Sequence, residues 1–185
     1  MLNSLKPTQQ TGPLVFKDQI QSRRNEKLNR RKELEGMDVD KTGFIEDLHK
    51  RNSDALGFIP RTRIKEYENE GRTLIQFDKK EPVGFLLFGK AWPYLNIYQA
   101  CIEYDVRRQH FGMELVDRLE KKAKQNHTGI YLRCRENLEA NKFWKKLGYQ
   151  IVKKIPGGKK RGKEINLWIR NFSNPRQMEL FSDLV

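Results

Sequence analysis

Between Leu95 and Tyr149 the chain alternates strand and helix signals, and this order constrains the fold more than any other part of the sequence. The segment from Leu95 to Tyr104 reads as a strand and leads into a short basic turn, Val106-Arg107-Arg108-Gln109-His110-Phe111-Gly112. Leu115, Val116, Leu119 and Ala123 recur at helical spacing, predicting a helix over 108–125 whose apolar stripe faces a core. A strand over 129–135 follows, then a helix over 137–147 carrying Asn137, Ala140, Phe143, Trp144 and Leu147. A strand-to-helix turn of this kind offers backbone N–H groups to an anion. The first turn of a helix lacks internal acceptors and carries the positive end of the dipole.

The flanking segments extend this pattern into a whole domain. Phe44–Lys50 and Thr62–Glu70 read as short helices joined by a loop that contains Leu56-Gly57-Phe58-Ile59-Pro60, with Pro60 and Gly71 as punctuation. Arg72–Asp78 and Val83–Gly89 are rich in strand formers and flank a turn at Lys79–Pro82, which predicts an antiparallel hairpin. A second hairpin is expected from strands over 149–155 and 164–170 around Pro156-Gly157-Gly158. The expected architecture is an α/β domain over 36–172 with a mixed sheet flanked by helices, and the sequence shows no internal repeat. Before it stand a leader expected to be disordered (1–16) and a basic N-terminal helix (17–35); after it comes a tail, 173–185.

Composition narrows the class. A chain of 185 residues, 37% apolar, suits one compact domain with its own core and polar ends. No apolar run approaches the roughly 20 residues needed to cross a bilayer. Met1–Pro13 also lacks the apolar stretch of a signal peptide, so a cytoplasmic location is expected. Cys101 and Cys134 give neither a disulfide framework nor zinc spacing, and no metal site is expected. They fall on strands expected to be neighbours, which predicts a close pair of buried thiols. The net charge of +13 favours polyanionic partners, nucleic acid among them. In one basic cluster (Arg23, Arg24, Lys27, Arg30, Arg31, Lys32) the interspersed Asp18, Glu26 and Glu33 indicate a solvated helix face. The other (Lys153, Lys154, Lys159, Lys160, Arg161, Lys163) surrounds the second hairpin turn with only Glu164 nearby.

Across roughly residues 40 to 170 the chain resembles the GNAT acetyltransferase superfamily. The family's phosphate turn, Gln/Arg-x-x-Gly-x-Gly/Ala, finds Arg107 at its first position and Gly112 at its last, with His110 in the place of the first glycine. Asn137-x-x-Ala140-x-x-Phe143-Trp144-x-x-x-Gly148-Tyr149 follows the family's second half. Trp144 stands where many members carry the tyrosine that protonates the departing CoA thiolate. An indole N–H donates a hydrogen bond but does not give up its proton as a phenol does.

The resemblance implies a mostly antiparallel mixed sheet with one splayed parallel strand pair, and acetyl-CoA or another acyl-CoA held between those strands. It implies cofactor contacts at Ile102, Tyr104, Arg107, Arg108, Gln109, His110, Phe111, Gly112 and Met113, and at Asn137, Phe143 and Trp144. Acyl transfer to an amine requires a neutral nucleophile, a held thioester and a donor for the carbonyl oxygen. Glu103 is the nearest acid and the candidate catalytic residue, relaying the amine's proton through water; the competing reading is a solvent-facing strand residue. Asp105 reads equally as a turn former, His49 as a surface residue on a polar helix, and His127 as a helix-end cap. Arg133 and Arg135 alternate along one strand, making one of its faces basic. Arg135 and Lys160 are the candidate substrate contacts, because in the resembled family the second hairpin lies beside the acceptor groove. Basic residues there suit an acidic or phosphate-bearing acceptor.

The tail carries a separate motif. Gln177-Met178-Glu179-Leu180-Phe181 is similar to the Gln-x-x-Leu-Phe peptide by which bacterial DNA enzymes dock on the sliding clamp. There Leu180 and Phe181 would fill an apolar pocket while Gln177 hydrogen-bonds in a second one. The alternative is an amphipathic tail whose Met178, Leu180, Phe181 and Leu184 cap the domain's own core. Three functional readings follow: an acyl-CoA-dependent N-acyltransferase acting on an unidentified amine, a DNA-associated modification enzyme, and a non-catalytic adaptor docking on nucleic acid or the clamp.

Overall fold

The structure, a computed structural model, describes residues 40–157 and 163–172. The leader, the basic N-terminal helix, Lys160 and the clamp-like peptide with Gln177, Leu180 and Phe181 all lie outside the described residues. Helix α1 spans Lys41–Arg51 and opens under a side-chain cap: the Gly43 N–H donates to the Asp40 carboxylate at 2.8 Å. The helix thus begins three residues before the expected Phe44, because a capped first turn tolerates Gly43 where the helix interior would not. A single helical turn, α2 (Ser53–Leu56), occupies part of the expected loop, and α3 covers Arg61–Asn69.

The sheet has six strands: β1 (Thr73–Asp78), β2 (Glu81–Ala91), β3 (Tyr94–Ile102), β4 (Gly129–Arg135), β5 (Gln150–Pro156) and β6 (Glu164–Asn171). Their order is β1-β2-β3-β4-β6-β5, with β3 and β4 parallel and every other pair antiparallel. The expected mixed sheet with one parallel pair is present. Helices α4 (Phe111–Ala123) and α5 (Ala140–Lys146) complete the domain.

Alternation along the strands gives each sheet face its own core. Leu86, Leu95, Ile97, Ile130 and Leu132 pack against Leu115 and Leu119 of α4 on one face. On the other, Ile75, Phe85 and Leu87 lie beneath Ile45, Leu48 and Ile64 of α1 and α3. This division corrects the expectation of a close thiol pair. Cys101 belongs to the second cluster and Cys134 to the first, so they point to opposite sides of the sheet. Burial pushes both thiols up, Cys134 to about 11, so both stay protonated at neutral pH.

His49 is also a correction, since it is buried. Its Nε2–H donates to the Gly57 carbonyl at 2.5 Å, pinning the loop after α2 back onto α1. A polar group buried without a partner would cost free energy, and here loop and imidazole satisfy each other. His127 follows α4, and burial holds its imidazole below the ordinary histidine range. That opposes the cationic cap expected of it. At the same end, the buried Glu120 of α4 lies 3.1 Å from Arg170 of β6. Burial raises its carboxyl, and the guanidinium partly offsets the shift. Among the described residues no helix is long and apolar enough to cross a membrane.

Candidate active site

Strands β3 and β4 pair over only part of their length. Tyr94–Ile97 run beside Gly129–Leu132; past that ladder β3 continues to Ile102 and β4 to Arg135 without pairing to each other. Two parallel strands that part company in mid-sheet leave a wedge-shaped gap whose walls carry unpaired main-chain groups. Helix α4 begins at the wide end of this wedge.

The turn into α4 supplies the donors. One turn of 3₁₀ helix, Tyr104–Val106, uses the N–H groups of Val106 and Arg107, which bond the carbonyls of Glu103 and Tyr104 at 3.3 and 3.2 Å. From Arg108 to Met113, no backbone N–H bonds an acceptor among the described residues; Glu114 N–H then returns to His110 O at 3.0 Å. Arg108 (φ 67°) and His110 (φ 69°) are left-handed, so α4 begins at Phe111 and not at 108. The two left-handed residues on either side of Gln109 leave these N–H groups without an acceptor among the described residues, at a helix N-terminus that carries the positive dipole end. His110 thus adopts the backbone of the glycine whose place it takes, with its imidazole exposed.

Gly112 sets how closely the walls approach. A Cβ there would stand 3.3 Å from Phe143 Cζ on α5 and 3.8 Å from Ile102 Cγ1 on β3. The absent side chain lets α4, α5 and β3 meet at one point. Phe143 is half-buried at that contact, while Tyr104 and Met113 are exposed. Trp144 is enclosed in the core against Phe143 and Tyr149, with ring centroids 4.9 and 5.4 Å away.

The arginines around the gap are already engaged. Arg107 donates from Nε to Ile102 O at 3.0 Å and from Nη2 to Asn52 Oδ1 at 2.8 Å, and lies over the Tyr104 ring. Arg135 donates to the Asp54 carbonyl. Asn52 and Asp54, at the start of α2, are thereby held from the turn after β3 and from the end of β4. Glu103 is held at the end of β3 by a two-point pair with Arg51, at 2.6 and 2.7 Å. That contact raises the Arg51 guanidinium further.

Asn137 is exposed just beyond β4, and a different asparagine organises the turn there. The Asn141 Nδ2 donates to the carbonyls of Arg135 (2.7 Å), Glu136 (3.0 Å) and Leu138 (2.7 Å). Its Oδ1 accepts from Asn166 Nδ2 and Trp168 Nε1, both at 3.0 Å. Sequence reasoning missed this hub. Its partners on β6 lie 25 and 27 residues away, so no local pattern announces it. No cluster of metal-ligating side chains occurs among the described residues.

Comparisons with known proteins agree with this geometry. Residues 43–159 match the model of the acetyltransferase (GNAT) domain. No curated protein matches at the level of sequence. Among solved structures the chain is similar to Ard1 from Thermoplasma volcanium, at 19% identity and TM-score 0.63 over 72% of this chain and 95% of that one. An aminoglycoside 6'-N-acetyltransferase complexed with coenzyme A gives 18% identity and TM-score 0.63, over 73% and 95% of the two chains. A ribosomal-protein alanine N-acetyltransferase from Escherichia coli gives 16% identity and TM-score 0.61, over 75% and 92%. At these identities the structural likeness speaks to the fold, and the domain match over well over half the chain speaks to the family. The chain belongs to the GNAT family of N-acetyltransferases, enzymes that draw their acyl group from acyl-CoA.

Proposed function

We propose that this protein transfers an acyl group from acyl-CoA to the amine of an anionic acceptor. The observation that carries the reading is the run of unengaged N–H groups from Arg108 to Met113 at the wide end of the β3–β4 wedge. The residues present fit the donor. The unengaged N–H groups and the α4 dipole suit a diphosphate, and Gly112 lets α5 and β3 close up behind that turn. The free edge of β3 near Ile102 suits the amides of a pantetheine arm. When bound, acyl-CoA supplies a thioester whose carbonyl carbon accepts the amine.

The chain's own residues position and deprotonate. Arg51 fixes the Glu103 carboxylate at the strand end from which the amine must be served. Both oxygens face the guanidinium, so Glu103 takes the amine's proton on its remaining lone pairs through an intervening water. Trp144 is in the core and offers no phenol. Glu103→Gln keeps the size of the side chain and one acceptor for Arg51 but removes the base. It is expected to lower kcat by about a hundredfold or more while leaving acetyl-CoA affinity near wild type. Calorimetric titration with acetyl-CoA beside a stopped-time acetylation assay checks both halves. Absence of heat with the wild-type chain would instead select the non-catalytic adaptor.

The basic surface and the tail support placement of this activity beside nucleic acid, with Gln177, Leu180 and Phe181 docking on a sliding clamp. The support is the peptide's match to the clamp-binding pattern and the charge of +13. Clamp affinity is expected to disappear in the Leu180→Ala, Phe181→Ala double variant. An unchanged affinity in surface plasmon resonance removes the clamp from the account.

A further inference from the structure

The half of the sheet formed by β4, β6 and β5 is asymmetric in what covers it. On the α4–α5 side Ile130, Leu132, Cys134 and Trp168 are buried. On the opposite side the second core cluster contains no residue of these three strands. Register places Arg133 opposite Leu167 and Leu167 opposite Lys153, so two exposed cations flank a half-buried leucine on that open face. Arg135 lies two residues along β4, opposite Ile165. Neither Arg133 nor Lys153 forms an ion pair among the described residues, and Arg135 reaches only the Asp54 carbonyl. The nearby acids are committed elsewhere: Glu136 and Glu164 both bind Lys154, and Glu103 binds Arg51. Three cations around an aliphatic floor, none of them in an ion pair among the described residues, constitute a site for anions that also bring apolar groups.

We infer that Arg133, Arg135 and Lys153 recognise the acceptor, and that the acceptor is an acidic peptide laid along the open face of β4 and β6. The inference rests on the acyl-transfer reading above and supplies its substrate class. Arg133 and Arg135 repeat at the spacing of alternate residues in an extended chain, roughly 7 Å. Carboxylates at alternate positions of an extended peptide repeat at the same interval. Arg133 and Lys153 stand two strands apart, roughly 10 Å, wide enough to bracket such a peptide. The floor between them, Leu167 and Ile165 with Tyr131 behind, accepts aliphatic side chains. The aromatic pair on this face, Tyr131 and Tyr94, packs edge to face with centroids 6.4 Å apart and forms no run of parallel platforms, so it suits the bases of a single-stranded nucleic acid less well. The chain's own segment 17–35 is basic, so charge disfavours it as the occupant. The face also flanks the wide end of the wedge: Arg135 ends β4 there and anchors α2.

The test uses the full-length protein and a fluorescein-labelled peptide of alternating leucine and glutamate with a free amine, read by anisotropy without acyl donor. Controls are the same peptide with lysine for glutamate and a single-stranded oligonucleotide of equal length. Arg133→Glu, Lys153→Glu and the pair together lie on the exposed face, and unchanged melting temperatures confirm their fold. The acidic peptide is expected to bind wild type, to lose about tenfold or more in affinity in the double variant, and to weaken with salt. Acetyl-CoA affinity should be unaltered in all three variants. A wild type that ignores the acidic peptide, a double variant that binds it as wild type does, or an oligonucleotide that binds more tightly overturns the inference. Failure of acetyl-CoA to bind the wild type overturns the acyl-transfer reading instead. The two failures are read in separate measurements.

Discussion

Gly112→Val is expected to reduce kcat/KM for acetyl-CoA by about ten- to a hundredfold, since overpacking costs about 1–3 kcal/mol and each 1.4 kcal/mol is tenfold in rate. The geometry sets the direction. A Cβ alone would already press on Phe143 Cζ and Cε2 at 3.3 and 3.4 Å. Valine adds two methyl groups and a stiff χ1 to a helix start that carries the unengaged N–H groups. Phe143 is backed by Trp144 in the core, so the first turn of α4 lifts away from Ile102 and displaces the donors from the wedge. Gly112→Ala, whose single carbon needs the neighbour to give by only a few tenths of an ångström, should fall between valine and wild type. Steady-state kinetics with a melting temperature for each variant separates a moved site from an unfolded chain. Valine kinetics matching wild type would mean that the turn plays no part in holding the donor.

Asn141→Ala is expected to destabilise the domain by about 3–5 kcal/mol, because each buried polar group left unpaired costs about 1–3 kcal/mol. The change strands Trp168 Nε1 and Asn166 Nδ2 beneath α5, next to an Asn166 oxygen that already lacks a hydrogen-bond partner. It also removes the amide donor from the carbonyls of Arg135, Glu136 and Leu138 at the exit from β4, of which Arg135 and Leu138 keep a backbone N–H partner. Asn141→Asp makes the sharper comparison: a carboxylate still accepts from Trp168 and Asn166 but has no N–H for the three carbonyls. Urea unfolding of the three proteins measures the difference. A loss below about 1 kcal/mol for alanine would show that water replaces the amide without penalty.

The order of strands and helices was legible because each is written locally. Leu115, Val116, Leu119 and Ala123 mark α4 by period, and the β1–β2 hairpin is framed by Lys79 to Pro82. The donor turn was legible in outline for the same reason, through Arg107 and Gly112. What escaped depends on chain partners far apart. Asn137 and Asn141 are equally polar in sequence, and only the arrival of β6 selects the second as the hub. Cys101 and Cys134 sit on adjacent strands, yet a bulge at Tyr98, where Leu87 pairs with Gln99 and Phe88 with Ile97, inverts the alternation along β3 and sends Cys101 to the other face. Nothing near His49 foretells that Gly57 O will need its imidazole N–H. Arg107 belongs to a phosphate-turn pattern, whereas its guanidinium lies against Ile102 O and Asn52, a placement set by the approach of α1 and α2.

A sheet whose two halves share only the rungs from Tyr94 to Ile97 is an unfinished sheet. On the reading proposed above, an amide-bearing arm slid into the opening would serve as the missing strand, and its binding would tighten the molecule by mass action. Among the described residues the two blades are joined by a short seam, by the packing of α4 across both, and by the arginine clasps over residues 52–54.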